Sequence, residues 1–96
     1  MDNLIIAKNV FNVFIPLFHE YFSFYCSNIH NPIFNSFLSP DIILVTNLMI
    51  KTENILKTQH STKDANQIKQ LCFDIAAVLD RINERISIIK ITYGIS

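Results

Sequence analysis

The sequence predicts an all-α fold with three main helices, arranged as an antiparallel bundle or an extended helical hairpin. Three observations predict this class: two apolar stripes with heptad-like spacing, turn-forming residues between the apolar segments, and a single glycine after the last segment. The 96 residues suffice for one domain with a modest core. We therefore treat residues 1–96 as a single helical interaction domain.

The first predicted helix covers about residues 3–28. It carries an apolar stripe, and further apolar residues beside the stripe make most of the helix circumference apolar. Such a pattern is typical of helices that are buried on several sides or face lipid. Pro16 lies in the middle of the segment and lacks a backbone donor, so we expect a kink there, or a break between two shorter helices. The stripe has alternating spacings of three and four: Leu4, Ala7, Phe11, Phe14, Phe18, Tyr21 and Tyr25.

A packed connection is predicted over residues 28–40, where turn-forming residues alternate with large apolar ones. Ser39-Pro40-Asp41 predicts the start of the second helix, since these residues suit the N-cap, the first helical position and the helix dipole, respectively. We expect this helix to end near Thr58. Its apolar positions are Ile42, Val45, Leu48, Met49, Thr52, Ile55 and Leu56.

The third predicted helix follows a polar break at residues 59–62, where Ser61 and Asp64 resemble a capping box. It should end near Tyr93, because Gly94 is a natural left-handed C-cap. Residues 85–93 are rich in β-branched side chains and also resemble a strand, but the heptad phase continues through them without a slip, so we favour helix. The heptad seam is formed by Ile68, Cys72, Ile75, Leu79, Ile82, Ile86, Ile89 and Tyr93.

The charge content is low for an isolated soluble domain. Only 17% of residues are charged, against about 25% in typical domains, and the formal net charge is zero. A domain of this kind is expected to associate with another chain, a copy of itself or lipid. We predict no nucleic-acid partner, because no basic stripe is present.

The sequence holds no recognisable catalytic or cofactor motif. A single glycine excludes a glycine-rich phosphate loop, and neither a Gly-x-Ser-x-Gly elbow nor a His-Glu-x-x-His motif occurs. Cys26 and His30 form one weak pair of potential metal ligands, too few for a tetrahedral site. We therefore predict no enzyme activity, no catalytic residues, no cofactor and no metal.

The two cysteines are predicted to be reduced. Cys72 lies in the heptad seam, where a free thiol behaves as a small hydrophobic side chain. A Cys26–Cys72 disulfide is the alternative. The chain starts Met-Asp-Asn, without the features of a secretory signal, so we expect an intracellular location or one within an assembled particle.

A run of charged residues on the third helix is turned away from the seam. Asp80, Arg81, Glu84 and Arg85 are interpreted as a solvated face, with a polar docking patch as the alternative.

Apolar residues outside the predicted seams indicate a second contact surface. Phe73, Ile88 and Ile91 lie off the seam of the third helix, and the first helix shows a similar excess. The alternative is that these are isolated surface hydrophobic residues, which are normal in folded proteins. The predicted interface residues are Phe11, Phe14, Phe18, Phe22, Phe73, Ile86, Ile88, Ile89 and Ile91.

These observations favour a non-enzymatic structural or adaptor subunit that docks into a larger assembly as a homo- or hetero-oligomer. A viral particle component is one concrete instance, given the small size and the Asn-, Ile- and Phe-rich composition. One alternative is a membrane-associated protein that uses residues 4–25. Another is a small helical regulator or inhibitor of one partner protein.

Overall fold

The computed structural model describes residues 2–58 and 62–94, with side chains for residues 5–58 and 65–94. The described residues form three helices and no strand: α1 (Asp2–Ser27), α2 (Pro32–Thr58) and α3 (Thr62–Tyr93). Each helix packs against the other two, and α3 makes the most extensive contacts. The all-α, three-helix prediction is therefore confirmed.

The relative directions of the helices follow from their contacts. Along α2 and α3, Phe34 contacts Tyr93 while Asp41 contacts Arg81, so these two helices run in opposite directions. The early residues of α1 lie beside the early residues of α3, and the late residue Phe24 lies beside Lys90. The bundle is 47 Å long and 18 by 16 Å across. That length matches α3, since 32 residues at about 1.5 Å each span roughly 48 Å.

Helix α1 is continuous from Asp2 to Ser27 and includes Pro16. The alternative of two shorter helices is therefore wrong, whereas the kink at Pro16 stays a prediction. The Pro16 side chain is exposed, so its ring meets solvent rather than the core. Of the predicted stripe, Ala7 and Phe11 are buried, and four members are half-buried. The Leu4 side chain lies outside the described residues.

The predicted start of α2 at Ser39-Pro40 is wrong, because the helix begins eight residues earlier at Pro32. Asn31 is the N-cap: its Oδ1 atom accepts hydrogen bonds from the backbone amides of Ile33 (3.0 Å) and Phe34 (3.2 Å). Pro32 therefore takes the first helical position that the sequence analysis assigned to Pro40. Asn31-Pro32 and Ser39-Pro40 both place a capping residue before a proline, and the helix begins at the first of these two pairs.

Pro40 instead lies inside α2. It cannot donate to the carbonyl of Ser36, and both residues lie on the exposed side of the helix, where water can reach that carbonyl. The gain from starting early is visible in the core, because Phe34 and Leu38 become buried helix residues instead of parts of a loop. Burial of two large apolar side chains outweighs a proline at a solvent-facing position.

The α1–α2 connection is short and held by side-chain hydrogen bonds. Asn35 Nδ2 donates to the carbonyl of Ile29 (3.1 Å), and the Tyr25 hydroxyl donates to Asn35 Oδ1 (3.0 Å). The Asn28 amide donates to the carbonyl of Phe24 at 2.8 Å. The bonds from Asn35 and from the Asn28 side chain satisfy carbonyls near the end of α1, and the three bonds together fix the direction in which the chain returns.

Helix α3 continues to Tyr93, and Gly94 follows with φ of 65°. The left-handed conformation at Gly94 is the predicted C-cap, and it favours glycine because a side chain there would be strained. The helix prediction for residues 85–93 is thus confirmed over the strand alternative. Ser61 of the predicted capping box and residues 59–61 of the polar break lie outside the described residues.

The core lies along α3 and is wider than the predicted seam. Seven of the eight seam residues are buried, and Tyr93 at the end is exposed. Leu71 and Val78 are also buried. They are seven residues apart and lie on the side of α3 next to the seam. The core side of α2 holds two buried polar residues, Asp41 and Thr52. Thr52 is fully buried and donates its hydroxyl proton to the carbonyl of Leu48 at 2.7 Å.

Candidate interaction surface

The structure divides the predicted interface residues into three groups. Phe11, Ile86 and Ile89 are buried in the monomer core, so their assignment to a partner-binding surface is wrong for this conformation. Phe14 and Phe18 are half-buried against that core. The remaining four residues are exposed: Phe22, Phe73, Ile88 and Ile91.

The four exposed residues are the best candidates for a partner-binding surface, because they remain in solvent after the core of the bundle has formed. Phe73 is 61% exposed and Ile91 is 82% exposed, although the bundle already buries one broad face of α3. In a bundle of three helices, each helix buries only one broad face. The excess of apolar side chains that the sequence indicated is therefore real on α3, and it is not absorbed by the fold.

An apolar groove runs between the first halves of α1 and α3, and we call it the α1–α3 groove. Its volume is about 570 Å³. From α1 it is lined by Ile6, Ala7, Val10 and Phe14, and from α3 by Ala65, Asn66, Lys69, Cys72, Phe73 and Ala76. Lys69 is the one charged residue among the lining residues.

Small side chains open this groove. Ala7, Ala65 and Ala76 lie where α1 and α3 meet, and larger residues would fill the space between the helices. Ile6 and Val10 on one wall and Phe73 on the other remain exposed. The groove was not predicted, because a single helix sequence does not reveal which alanines face each other.

Helix α1 extends the apolar wall of the groove. Val13 and Leu17 follow Ile6 and Val10 at spacings of three and four residues, which places all four on one stripe of the helix. All four are exposed, Val13 at 64%. The sequence indicated an excess of apolar residues on α1, but the predicted interface residues of this helix are phenylalanines, most of which pack inward.

Helix α2 also carries exposed apolar residues. Ile43, Leu44 and Ile50 are each exposed by 40% or more. None of them is among the predicted interface residues. With the true start at Pro32, these residues lie mid-helix on the outer face.

The largest feature that sequence reasoning missed is an ion cluster between α2 and α3. The Asp41 carboxylate is only 10% exposed and accepts hydrogen bonds from Arg81 Nη2 (2.9 Å) and Nε (3.3 Å). Arg85 Nε lies 3.3 Å from the other carboxylate oxygen. Arg81 and Arg85 keep partly exposed side chains, as expected for a solvated face, but both also reach across to α2, which was not predicted.

Arg85 is held by three groups at once. Besides the contact with Asp41, its Nη1 atom donates to the carbonyl of Phe37 at 3.0 Å, and its guanidinium lies 4.7 Å from the centre of the Phe37 ring. The planar guanidinium makes the polar contacts and the ring contact together, which the single ammonium of a lysine could not reproduce. The cluster therefore fixes the register of α2 against α3.

A signal for this cluster existed in the sequence. Arg85 follows Leu71 and Val78 at intervals of seven residues, so it continues the buried flank beside the seam. Asp41 precedes Ile42 and Val45 on the core stripe of α2 and is the only acidic residue between Glu20 and Glu53. An acidic residue on the core stripe of one helix and an arginine beside the core of another point to a pair, once the start of α2 is placed correctly.

The two cysteines and Tyr21 differ in environment. Cys72 is buried, and burial raises the pKa of its thiol above the ordinary value. Cys26 is exposed, and neither cysteine forms a disulfide, so the bridge alternative is not realised. Burial, and to a lesser degree the carboxylates of Glu20 and Asp80, raise the pKa of Tyr21.

No group of three or more potential metal-ligating side chains occurs among the residues with described positions. One described helix, Pro32–Thr58, has the length and composition needed to cross a membrane, and a third of its most apolar window is buried in the protein. Core helices of soluble proteins meet the same criterion. The segment with predicted membrane contact, residues 4–25, lies instead in α1.

Comparison with known proteins adds no relative. No protein-family model, curated protein or solved structure matches this chain. Function must therefore be inferred from the residues and surfaces described above.

Proposed function

We propose that this protein is a non-enzymatic structural or adaptor subunit that docks through apolar helix faces into a larger protein assembly. The observation that carries the proposal is the exposure of Phe73, Ile88 and Ile91 around a core that is already complete without them. Clusters of exposed apolar side chains beside a groove are typical of surfaces that a partner covers.

The polar side of the molecule supports the same proposal. The buried carboxylate of Asp41 is engaged with Arg81 and Arg85, contacts that stabilise helix packing rather than form an open reactive site. The buried Cys72 thiol, with its raised pKa, is a poor nucleophile. Neither group resembles an activated catalytic residue, and the α1–α3 groove is mostly apolar.

Two finer features of the helices belong to this proposal. We propose that α1 bends at Pro16, because a proline ring inside a helix pushes against the preceding turn. We also propose that α3 packs with coiled-coil geometry along its heptad seam, which is supported by the complete burial of Ile68, Ile75 and Ile82. Both features would fix the position of the apolar face of α1 relative to that of α3.

The setting we propose is intracellular or within an assembled particle, with homo- or hetero-oligomeric protein partners and no nucleic acid. A virion component fits the small size and the Asn-, Ile- and Phe-rich composition. The alternatives, a membrane-associated protein and a regulator of a single partner, differ from this proposal in what covers the apolar faces.

The deciding experiment is the mass of the purified full chain in solution, measured over a range of protein concentrations. We expect a mass above that of the monomer, and we expect Phe73→Asp combined with Ile88→Asp to lower it. Lys51→Asp is a suitable control, because Lys51 is exposed and polar. A monomer that neither self-associates nor binds an apolar dye such as bis-ANS would contradict the proposal.

A parallel measurement separates the membrane alternative. The chain is mixed with vesicles of neutral and anionic phospholipids and sedimented. Pelleting with vesicles that is lost after Leu17→Asp, together with a monomeric mass in solution, would favour lipid over protein as the covering partner.

A further inference from the structure

The outer face formed by α1 and α3 carries an apolar stripe with charges of opposite sign at its two ends. The apolar part consists of Ile6, Val10, Val13 and Leu17 on α1, with Phe73 beside them on α3. All five are exposed. From Ile6 to Leu17 the stripe covers eleven helical steps, or roughly 16 Å.

The positive end lies at the start of the bundle. Lys69 lines the α1–α3 groove together with Ile6 and Val10, and it precedes Phe73 by four residues, which places it one helical turn earlier on the same side of α3. Its side chain therefore borders the first part of the stripe.

The negative end lies at the other end of the stripe. Glu20 follows Val13 by seven residues and Leu17 by three, so it continues the stripe along α1. Asp80 follows Phe73 by seven residues, so it occupies the matching position on α3. After burial, both carboxylates contribute to the raised pKa of Tyr21, which agrees with their placement at the same end of the stripe.

Val13 is the midpoint of this pattern, seven residues from Ile6 and seven from Glu20. A two-fold axis at Val13 reverses the direction of the second copy, because an isologous interface pairs each end of a patch with the opposite end. Lys69 of one protomer then faces the carboxylates of Glu20 and Asp80 in the other. A parallel arrangement would instead place like charges together.

We infer that this face binds a second copy of the chain, with the two α1 helices antiparallel and crossing near Val13. This inference rests on the proposed docking function, for which it names the partner and the surface. The apolar stripe supplies the buried area, while the charged ends select the antiparallel orientation more than they add affinity. The zero net charge of the chain removes overall repulsion between the copies.

Sedimentation equilibrium of the full chain tests the inference directly. We expect a dimer mass for the wild type, and a monomer mass for Val13→Asp, because that substitution places two like charges at the two-fold axis. Ile43→Asp is the matched control: it is the same type of change at an exposed position on α2, which contributes no residue to the stripe, and its mass should stay dimeric. Retained helical circular dichroism and thermal unfolding show that each variant is folded.

Charge reversal tests the orientation. Lys69→Glu should weaken the dimer, whereas Lys69→Glu combined with Glu20→Lys and Asp80→Lys should restore it, since the ends then attract again with exchanged signs. Lys51→Glu, an exposed lysine on α2, is the control that should change nothing. A purely structural role of Lys69 would give no rescue in the triple variant.

The results also separate this inference from the proposed function. A wild-type oligomer that ignores Val13→Asp but dissociates with Ile88→Asp would overturn the dimer and leave the docking function standing. A dimer weakened by Val13→Asp but not rescued by the triple variant would overturn the antiparallel orientation. A monomer without affinity for an apolar dye would overturn both proposals.

Discussion

Arg81 of α3 donates from Nη2 to Oδ1 of Asp41 on α2 at 2.9 Å, and this hydrogen bond joins two residues that lie 40 positions apart in the chain. The two side chains differ in environment, because that of Asp41 is 10% exposed and that of Arg81 is 49% exposed. The carboxylate therefore depends on its partners more than the guanidinium depends on the carboxylate.

This asymmetry predicts unequal effects of removing either side. Arg81→Met combined with Arg85→Met leaves a buried charge without partners, and we expect a loss of about 3 kcal/mol in the free energy of unfolding. Asp41→Ala should cost only about 1 kcal/mol, because the arginines can turn toward water. Urea unfolding followed by circular dichroism measures both values.

The exposed pair of Glu53 and Lys57, 2.8 Å apart on α2, is the control for this prediction. Glu53→Ala should cost less than about 0.5 kcal/mol, as is usual for an exposed pair four residues apart. A loss for Asp41→Ala equal to that of the double arginine variant would contradict the asymmetry.

A second prediction concerns the centre of the core. Ile82 is fully buried in the seam of α3, so Ile82→Ala should reduce the free energy of unfolding by about 2–5 kcal/mol. Ile82→Asp places an unpaired charge there, costs several kcal/mol, and should abolish folding or assembly. Ile91→Ala, on the exposed side, should change stability by less than about 0.5 kcal/mol. A cooperative melt and normal oligomer mass for Ile82→Asp would contradict its placement.

The start of α2 gives a third prediction. Asn31→Ala removes the N-cap and should cost about 1 kcal/mol. Pro40→Ala should raise the melting temperature, because alanine restores a backbone donor inside the helix and relieves the ring clash. Had the helix started at Ser39, Asn31→Ala would be neutral and Pro40→Ala would not stabilise. Differential scanning calorimetry of the two variants distinguishes these outcomes.

The thiols give a fourth prediction. Burial raises the pKa of Cys72 in the folded chain above its ordinary value of 9.0, so the folded state binds more protons than the unfolded state in this range. Stability is therefore fully present below about pH 9 and falls as the pH rises from there through the folded pKa. Cys72→Val should remove part of this alkaline slope. Tyr21, whose pKa is also raised, contributes in the same direction at higher pH.

Thiol labelling supplies an independent check on Cys72. In the native chain at neutral pH, DTNB should react quickly with the exposed Cys26 and slowly with the buried Cys72. Cys26→Ser should lose the fast phase. Fast reaction of Cys72 in that variant would contradict its burial.

The periodic parts of the sequence predicted the fold well, for reasons visible in α3. Its apolar residues recur every three to four positions, and Gly94 supplies the left-handed cap, so the helix and its buried face needed no tertiary information. The first helix was predicted within a residue at each end for the same reason. The start of α2 was wrong because Asn31-Pro32 and Ser39-Pro40 offer the same local chemistry, and burial of Phe34 and Leu38 decides between them.

The candidate surface was predicted only in part. The sequence correctly gave Phe73, Ile88 and Ile91 as exposed, since each lies off a well-defined seam. It was wrong for Phe11, which the bundle uses as a core residue. An apolar helix offers several faces, and only the positions of its neighbours determine which face is covered.

By itself, the sequence determined that the chain forms three helices, where α3 ends, and that its apolar content exceeds the needs of one core. Only the tertiary structure decided where α2 begins, which phenylalanines face inward, and that Asp41 meets Arg81 and Arg85. The physical reason is range. Helix periodicity and capping depend on residues within about four positions, whereas a groove between α1 and α3 or an ion pair between α2 and α3 depends on side chains that only packing brings together.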